Sequence, residues 1–280
     1  MIDSAFLNEI QKFNLIINKR VTSKYTGERK SAYSGAGTIF RDHRMYSVGD
    51  NFKAIDWRVF ARTDDLYVKQ FEEERNLNVH ILIDSSASMA YNNKFEFAGK
   101  LGLGFAFLAM KNNEKISFST FSDSVSVFKG SRGRSQILSM LSHINSIKPS
   151  GRSNLYDALK MYKKSLRSKS FIVIISDWMM NSEVIGEALK LLGKSHTIKL
   201  VQVLDRDEKE MPLDGDFILV DSESGLKLRT YISKRAQNEF IARLGSHSSE
   251  IMRVCSGLGM KFHQFTTNKQ VFDAFFEMLN

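Results

Sequence analysis

The chain contains few of the residues that cross-link or stiffen a fold. Its 280 residues include one cysteine, Cys255, and two prolines. A single cysteine excludes an internal disulfide and favours a reducing compartment, so we expect a cytoplasmic protein. The longest apolar run, LGLGFAFLAM at 101–110, has about half of the ~20 residues that a membrane-spanning helix needs. The first residues also lack the basic start and apolar core of a secretory signal. We therefore expect no membrane insertion.

The charge balance is basic, but the charges are dispersed. The chain has 40 lysines and arginines against 31 acidic residues, which gives a formal net charge of +9. Such an excess can indicate a nucleic-acid-binding protein. Here the basic residues alternate with acidic ones, without a sustained basic stripe or a known nucleic-acid motif. We interpret the charge as a solvated basic surface and expect no nucleic-acid partner.

The chain divides by composition near residue 76. Apolar residues recur at helical spacing in the first 20 residues and predict an opening amphipathic helix: Ile2, Phe6, Leu7, Ile10, Phe13 and Ile17. Residues 21–50 are polar and contain the breaker SGAG at 34–37, which predicts loop or irregular β-structure. We therefore assign 1–75 to an N-terminal flanking region, a helix plus a β-rich segment, and 76–280 to the main domain.

Buried strands and amphipathic helices alternate through the main domain. Predicted strands are NVHILID (78–84), KISFSTF (115–121), SVSVF (124–128), FIVIIS (171–176), TIKLVQVL (197–204) and 260–265. A hairpin is predicted from DFILVD and KLRTYI around SESG, and helices at 94–111, 134–146, 154–167, 234–255 and 269–279. This alternation predicts an α/β fold with a doubly wound, mostly parallel sheet and helices on both faces.

Several residues that could carry chemistry are better explained by structure. Three glycines in the helix at 94–111 each cost it up to ~1 kcal/mol relative to alanine, so we expect close packing on a neighbouring sheet. His80 lies within a buried strand, and Cys255 has no histidine or aspartate near it in sequence, so both are predicted core residues. Asp157 is interpreted as a first-turn helix charge and Asp123 as a turn residue.

The first buried strand ends in a group of oxygen donors. Asp84 closes NVHILID, and Ser86 and Ser88 follow at alternate positions. In the turn after a strand, such residues can direct one carboxylate and two hydroxyls at a common point, a donor set that suits Mg²⁺. The same serines could instead form a turn or cap a helix, and this short pattern alone does not separate these possibilities.

Two further segments favour the metal. SGRSNLYDAL places Ser153 in a loop before a helix, and FIVIISDW ends a second buried strand at Asp177. Asp84, Ser86, Ser88, Ser153 and Asp177 together resemble the metal-ion-dependent adhesion site of von Willebrand factor type A domains. In that site three loops at one rim of a doubly wound sheet supply the ligands. The chain departs from the pattern at Ser153, where the family usually has threonine.

The flanking region resembles a second signature. Residues 40–75 are similar to the domain-of-unknown-function 58 family, in which an R-x-Y-x-x-G-D stretch precedes I-D-W, A-R and an extended K-x-F-E-x-E segment. The matching residues are Arg44, Tyr46, Gly49, Asp50, Ile55, Asp56, Trp57, Ala61, Arg62, Lys69, Phe71, Glu72 and Glu74. Val48 stands where a proline is common. The resemblance continues into the predicted sheet and covers roughly residues 17–205.

Two interpretations of residues 40–75 remain open. In the first, the segment is structural: Trp57 and Tyr46 pack, while Asp56, Arg62 and Glu72 form charge pairs around them, because charged groups near a buried tryptophan need partners. In the second, the segment is a surface for a partner protein.

The resemblances imply a metal-dependent protein-interaction module. Uncharged serine ligands leave the bound cation, Mg²⁺ or alternatively Mn²⁺ or Ca²⁺, able to attract a carboxylate from another protein. The resembled family is associated with MoxR-type AAA+ ATPases, which implies a chaperone-like adaptor in the maturation or remodelling of client complexes.

An enzyme is the alternative. Asp84 and Asp177 could serve a Mg²⁺-dependent phosphoesterase or phosphatase. Aspartyl-phosphate hydrolases, however, normally carry a second aspartate two residues later, where this chain has Ser86. The sequence also lacks a phosphate-binding G-x-x-x-x-G-K-[ST] loop, so we expect no enzymatic activity.

Overall fold

The computed structural model describes residues 2, 3, 5, 6, 8–10, 34–35, 39–72, 77–128 and 135–279. The chain forms two compact units, one of Met1–Leu15 with Leu77–Asn280 and one of Ile16–Asn76. The predicted flanking region of residues 1–75 is therefore divided between the two units. Of the loop or irregular β-structure predicted over 21–50, residues 21–33 and 36–38 lie outside the described residues, as does Glu74 of the family signature.

The opening helix, α1, is present at the start of the chain. Its described residues between 5 and 10 are helical, and Ile2, Phe6 and Ile10 are buried as the spacing predicted. The Phe6 ring stacks on Phe272 with 5.7 Å between centroids. Leu7, Phe13 and Ile17 lie outside the described residues.

The described part of the smaller unit contains three short strands, one α-helix and a 3₁₀ helix at Phe52–Ala54. The strands β1 (Ser34–Gly35), β2 (Ile39–Met45) and β3 (Tyr67–Glu72) form an antiparallel sheet in the order β1-β3-β2, and α2 spans Trp57–Thr63. Asp56 begins α2 as its N-cap, because its side chain accepts a hydrogen bond from the Arg58 amide. The β-rich segment that the sequence predicted thus also includes a helix.

The polar pairs of this unit differ in part from those predicted. Asp56 pairs with His43 at 3.0 Å and Lys69 at 3.4 Å, and the His43 hydrogen bond contributes most to lowering the pKa of Asp56 to about 2. The structural interpretation of residues 40–75 required Trp57 to pack, and this part of it is wrong, because Trp57 is 57% exposed. As the first residue of α2 it contacts Phe60 within that short helix, whereas Tyr46, which is half-buried, lies against Phe52.

The larger unit is built on a six-stranded sheet. Its described strands are β4 (Asn78–Asp84), β5 (Lys115–Phe121), β6 (Val125–Val127), β7 (Ser170–Ser176), β8 (Thr197–Leu204), β9 (Gly215–Val220), β10 (Lys227–Ile232) and β11 (Lys261–Thr266). Six of them form the sheet in the order β11-β8-β7-β4-β5-β6. Every pairing is parallel except that of β5 with the edge strand β6. The predicted mostly parallel sheet is confirmed.

Helices cover both faces of this sheet. They are α3 (Lys94–Lys111), α4 (Ser135–Ser146), α5 (Leu155–Tyr162), α6 (Ser182–Lys190), α7 (Arg206–Glu210), α8 (Lys234–Gly257) and α9 (Val271–Leu279). One layer contains α3, α4 and α9, and the other contains α5, α6 and α8. The strand order reverses at β4 and β7, whose following helices lie on opposite faces, and this reversal creates a crevice beyond their carboxyl ends. The α/β, doubly wound class is therefore confirmed.

The glycines of α3 are sites of close packing, though not all on the sheet. A Cβ on Gly102 would lie 2.7 Å from Cδ1 of Ile83 in β4. Cβ atoms on Gly99 and Gly104 would meet Ile144 of α4 and Phe275 of α9, each at 2.9 Å. The prediction holds for Gly102, while the other two glycines pack against neighbouring helices.

His80 and Cys255 are core residues, as predicted. The His80 Nδ1 atom lies 2.8 Å from the hydroxyl of Tyr162, and burial lowers the pKa of His80 to about 4. Cys255 is fully buried, which raises the pKa of its thiol to about 12. Neither residue has the accessibility that a reactive group needs.

The predicted hairpin forms but stands apart from the large sheet. Strands β9 and β10 pair antiparallel, with Gly215 opposite Ile232 at one end and Val220 opposite Lys227 at the other. Within the described residues they pair with no other strand. Ile218, Leu228 and Tyr231 are each more than 60% exposed, so the hairpin carries apolar side chains on an uncovered surface.

None of the helices in the described ranges is both long enough and apolar enough to cross a bilayer.

Candidate functional site

The two predicted site aspartates lie at the ends of neighbouring strands. Asp84 is the last residue of β4, and Asp177 directly follows β7. These strands pair in parallel, with Ile83 opposite Ile175. Both carboxylates are therefore at the same rim, in the crevice created by the reversal of strand order.

Asp84 is the centre of the site and is fully buried. Its Oδ1 accepts a hydrogen bond from the Ser86 amide at 2.8 Å. Its Oδ2 accepts two more, from the Ser153 hydroxyl at 2.8 Å and the Ser176 hydroxyl at 2.7 Å. Three separate chain segments thus converge on one carboxylate.

Burial and a neighbouring charge both act on Asp84. Burial raises the pKa of Asp84, and the negative charge of Asp177 raises it as well, while the hydrogen bonds from Ser176 and Ser86 oppose the shift. A cation at this rim would relieve both unfavourable effects, because it would interact with the two carboxylates at once.

The turn after β4 brings the two predicted serine hydroxyls together. Ser86 precedes a short 3₁₀ helix, Ala87–Ala90, and its Oγ lies 3.1 Å from that of Ser88. The Ser86 amide is tied to Asp84, so the turn holds the hydroxyls on the carboxylate side of the strand end. The structure thereby brings together Asp84, Ser86 and Ser88.

The loop that carries Ser153 is fixed to the same turn by backbone hydrogen bonds. The Ala87 amide donates to the Gly151 carbonyl at 3.0 Å, and the Ser150 amide donates to the Ser85 carbonyl at 2.8 Å. Gly151 has φ +82°, and a Cβ there would collide with the carboxylate of Asp123. The positive φ and this close approach favour a glycine where the loop packs against Asp123.

Asp123 and Asp157 have the structural positions that the sequence predicted for them. Asp123 accepts a hydrogen bond from the Arg152 amide at 3.1 Å and so supports the loop. Asp157 lies in the first turn of α5 and interacts with Asn154, the N-cap of that helix.

Lys94 is a site residue that the sequence analysis missed. Its Nζ donates to Asp177 Oδ2 at 2.9 Å and to Glu208 Oε1 at 2.7 Å, and its side chain is 1% exposed. Burial works against the charged form, but the two carboxylates outweigh it and raise the pKa of Lys94. A lysine in the first turn of α3 opposes the helix dipole, and this mismatch is the signal that could have identified it.

Ser176 was also missed, although the sequence contains a signal. It is the one polar residue after the first position of an otherwise apolar, fully buried strand, SFIVIIS. A buried hydroxyl requires a partner, and Asp84 is that partner. Ser176 also accepts a hydrogen bond from the Trp178 amide, so it links the two strand ends.

The turn after β7 is held in an unusual conformation. Trp178 has φ +56°, which is uncommon for a large side chain. Its indole donates to the Val201 carbonyl at 2.8 Å, and Gln202 donates to the Asp177 carbonyl at 2.9 Å. These bonds fix the backbone that carries Asp177, and residues held this way concentrate at functional sites.

The donor set fits a hard divalent cation. It combines two carboxylates with the hydroxyls of Ser86, Ser88 and Ser153, and such oxygens are typical ligands of Mg²⁺, Mn²⁺ and Ca²⁺. Among the described residues, no group of three or more histidines, cysteines, aspartates or glutamates could hold a metal. The candidate site thus depends on hydroxyl oxygens. When ionised, Asp84, Asp177, Glu208 and Lys94 carry a net negative charge.

The tip of the β9–β10 hairpin contributes one further acidic group near this site. The Ser153 amide donates to Oε1 of Glu223 at 3.4 Å. The hydroxyl of the same serine donates to Asp84. A carboxylate from a distant part of the chain therefore adjoins the candidate ligands.

Comparison with known proteins identifies the class. The model of the DUF58 family, described as a protein of unknown function, matches residues 42–250. Because the match covers more than half of the chain, the chain belongs to the DUF58 family. A relative, the uncharacterized protein Rv1480 of Mycobacterium tuberculosis (strain H37Rv), is 24% identical over 275 residues, which cover 95% of this chain and 86% of the relative.

Solved structures with a similar fold include two bacterial proteins. The conserved hypothetical protein BatB from Bacteroides thetaiotaomicron is 16% identical with a TM-score of 0.43, and the similarity covers 72% of this chain and 98% of that one. The von Willebrand factor type A protein from Catenulispora acidiphila is 11% identical with a TM-score of 0.47, covering 74% of this chain and 43% of the other.

Proposed function

We propose that this protein is a metal-dependent protein-interaction module. Its site consists of Asp84, Ser86, Ser88, Ser153 and Asp177 and binds Mg²⁺, with Mn²⁺ or Ca²⁺ as alternatives. One observation carries the proposal: the buried Asp84 carboxylate collects hydrogen bonds from three segments at the rim where Asp177 also lies. Burying one carboxylate beside another costs folding free energy. Ionisable groups in such environments concentrate at functional sites.

The residues of the chain have distinct roles in this proposal. Asp84 is the anionic ligand, and the serine hydroxyls add neutral oxygens. Lys94 holds Asp177 in place and offsets its charge. A bound cation would supply a site for a carboxylate of the partner protein, because neutral hydroxyl ligands leave its charge under-compensated. The partner would therefore contribute an aspartate or glutamate.

The geometry does not favour the phosphoesterase alternative. A nucleophilic carboxylate must be accessible to its substrate. Asp84 is fully buried, and both of its oxygens accept hydrogen bonds. This arrangement suits a ligand held in place, not a group that attacks.

We further propose that the module acts in the cytoplasm as an adaptor for a MoxR-type AAA+ ATPase during maturation or remodelling of client complexes. Support comes from the signature in residues 40–75, which resembles proteins associated with such ATPases, and from the family match over 42–250. The single, buried cysteine fits a reducing compartment.

Titration calorimetry with Mg²⁺ and Mn²⁺ tests the metal site. We expect saturable binding to the native chain and none to Asp84→Asn, which keeps the shape of the side chain but removes its charge. Asp157→Asn is the matched control, since it neutralises an exposed carboxylate on the nearby helix α5 and should bind as the native chain does. Equal binding by native chain and Asp84→Asn would refute the site.

A pull-down with a purified MoxR-type AAA+ ATPase tests the partner. Binding should occur with Mg²⁺, disappear in EDTA and fail with Asp84→Asn. Binding that persists in EDTA would show that another surface makes the contact.

A further inference from the structure

The tip of the β9–β10 hairpin presents an acidic side chain to the candidate metal site. Asp221 accepts hydrogen bonds from the amides of Glu223 at 3.1 Å and Ser224 at 2.6 Å, and these bonds order the turn. The ordered turn leaves the Glu223 side chain available to the Ser153 amide, which donates to it at 3.4 Å. The contact is at the long end of hydrogen-bond distances and is therefore weak.

The hairpin is attached in a way that permits movement. Its strands pair only with each other within the described ranges, and they expose Ile218, Leu228 and Tyr231. At its base, Gly215 has φ +111°, a conformation that only glycine adopts readily. Segments with few buried apolar contacts open at low free-energy cost.

Glu223 carries the same chemical group, a carboxylate, that the proposed function requires of a partner. The proposed partner contributes a carboxylate to the cation, and Glu223 is a carboxylate of this chain at the edge of that site. Without a cation, Glu223 lies beside a site whose ionised groups carry a net negative charge. With a cation, the same electrostatics become attractive.

We propose that the β9–β10 hairpin is an autoinhibitory cover, in which Glu223 takes the position of the partner's carboxylate until a partner displaces it. The inference rests on the proposed function, because it requires a cation at Asp84. The cover would close more tightly when the cation binds. A partner must then compete with an internal group, which sets a threshold for partner binding and excludes weak acidic ligands.

The relaxation of solvent water by bound Mn²⁺ tests this cover without a partner. Mn²⁺ is the probe, and the relaxation rate of solvent water reports how many coordination positions of the bound ion are open to exchanging water. Compared with the native chain, Glu223→Gln should give faster relaxation and about fivefold weaker Mn²⁺ binding, the effect expected for one exposed charge contact. Asp216→Asn is the matched control, since it removes an exposed carboxylate of the same hairpin from β9 instead of the tip.

Each outcome decides between the two proposals. Faster relaxation in Glu223→Gln, with the Asp216→Asn chain like the native one, supports the cover. Equal affinity and relaxation in native chain and Glu223→Gln overturn the cover and leave the metal site standing. Failure of the native chain to bind Mn²⁺ overturns both.

Amide hydrogen exchange supplies a second readout. Adding Mn²⁺ should slow exchange at the Ser153 amide in the native chain, because the hairpin tip closes onto it, and should not do so in Glu223→Ala. Slowing by the same factor in both chains would contradict the cover.

Discussion

Replacing Lys94 with methionine should destabilise the larger unit more than any exposed ion pair could. Lys94 is 1% exposed and bonds to two carboxylates, at 2.9 Å on Asp177 and 2.7 Å on Glu208. Methionine fills a similar volume but leaves Asp177 buried without its cation. Removing one partner of a buried ion pair typically costs about 3–5 kcal/mol. Since ~1 kcal/mol shifts Tm by about 2–4 °C in a domain of this size, the shift should be roughly 6–20 °C.

Urea unfolding in EDTA, followed by circular dichroism, measures this loss without interference from a cation. Lys100→Met is the matched control: its ion pair with Glu96 is at 2.8 Å but partly exposed, so its loss should cost about 0.3–0.5 kcal/mol. Lys94→Met combined with Asp177→Asn should recover part of the lost stability, because the buried charge is then removed. A loss below ~1 kcal/mol in Lys94→Met would refute the argument that Lys94 neutralises the site.

Four further substitutions test the packing, the pH dependence and the site. Gly102→Ala should lower the free energy of unfolding by about 1–3 kcal/mol, because the added Cβ would lie 2.7 Å from Ile83. Gly245→Ala in α8 is the control: its Cβ would meet no atom within 4 Å, so this change should raise the free energy of unfolding by up to ~1 kcal/mol. Equal urea midpoints for the two variants would contradict this prediction. Burial lowers the pKa of His80 to about 4, so the unfolded chain binds a proton that the folded chain does not between pH 6.5 and 4. The contribution of His80 to the free energy of unfolding is therefore complete above pH 6.5 and decreases by up to about 3 kcal/mol as the pH falls to 4. In His80→Gln, the free energy of unfolding should depend less on pH in that range. An unchanged slope would show that His80 is not responsible. Ser153→Thr should keep or strengthen Mg²⁺ binding in calorimetry, because the hydroxyl remains and the side chain is stiffer, and abolished binding would show that the loop cannot accept the added methyl group.

The fold was predictable because its strands are almost uninterrupted apolar runs. NVHILID and FIVIIS became β4 and β7 with bounds close to those expected. Carboxyl ends of parallel strands lie at one rim, so the positions of Asp84 and Asp177 followed from the fold class. Their role as metal ligands stays a prediction.

The rest of the site depends on contacts between distant segments. Neither the pairing of Lys94 with Glu208 nor the hydrogen bond from Ser176 to Asp84 has a periodic pattern in the sequence. The error at Trp57 has a related cause. An aromatic residue in a signature with paired charges favours burial, but the short helix that Trp57 begins leaves it on the surface. Composition and periodicity do not report the direction of a single side chain.

The order of the strands has a consequence for how the protein is made. Asp84 is separated by 69 residues from Ser153 and by 92 from Ser176, both of which bond to it. At about 5–20 residues per second, a ribosome needs roughly 5–20 s to synthesise the intervening chain. Until β7 is complete, β4 has no partner on that side, and an apolar strand with a free edge pairs readily with other chains. Nascent chains that stop before residue 170 should therefore aggregate, or require a holding chaperone, where the complete chain does not.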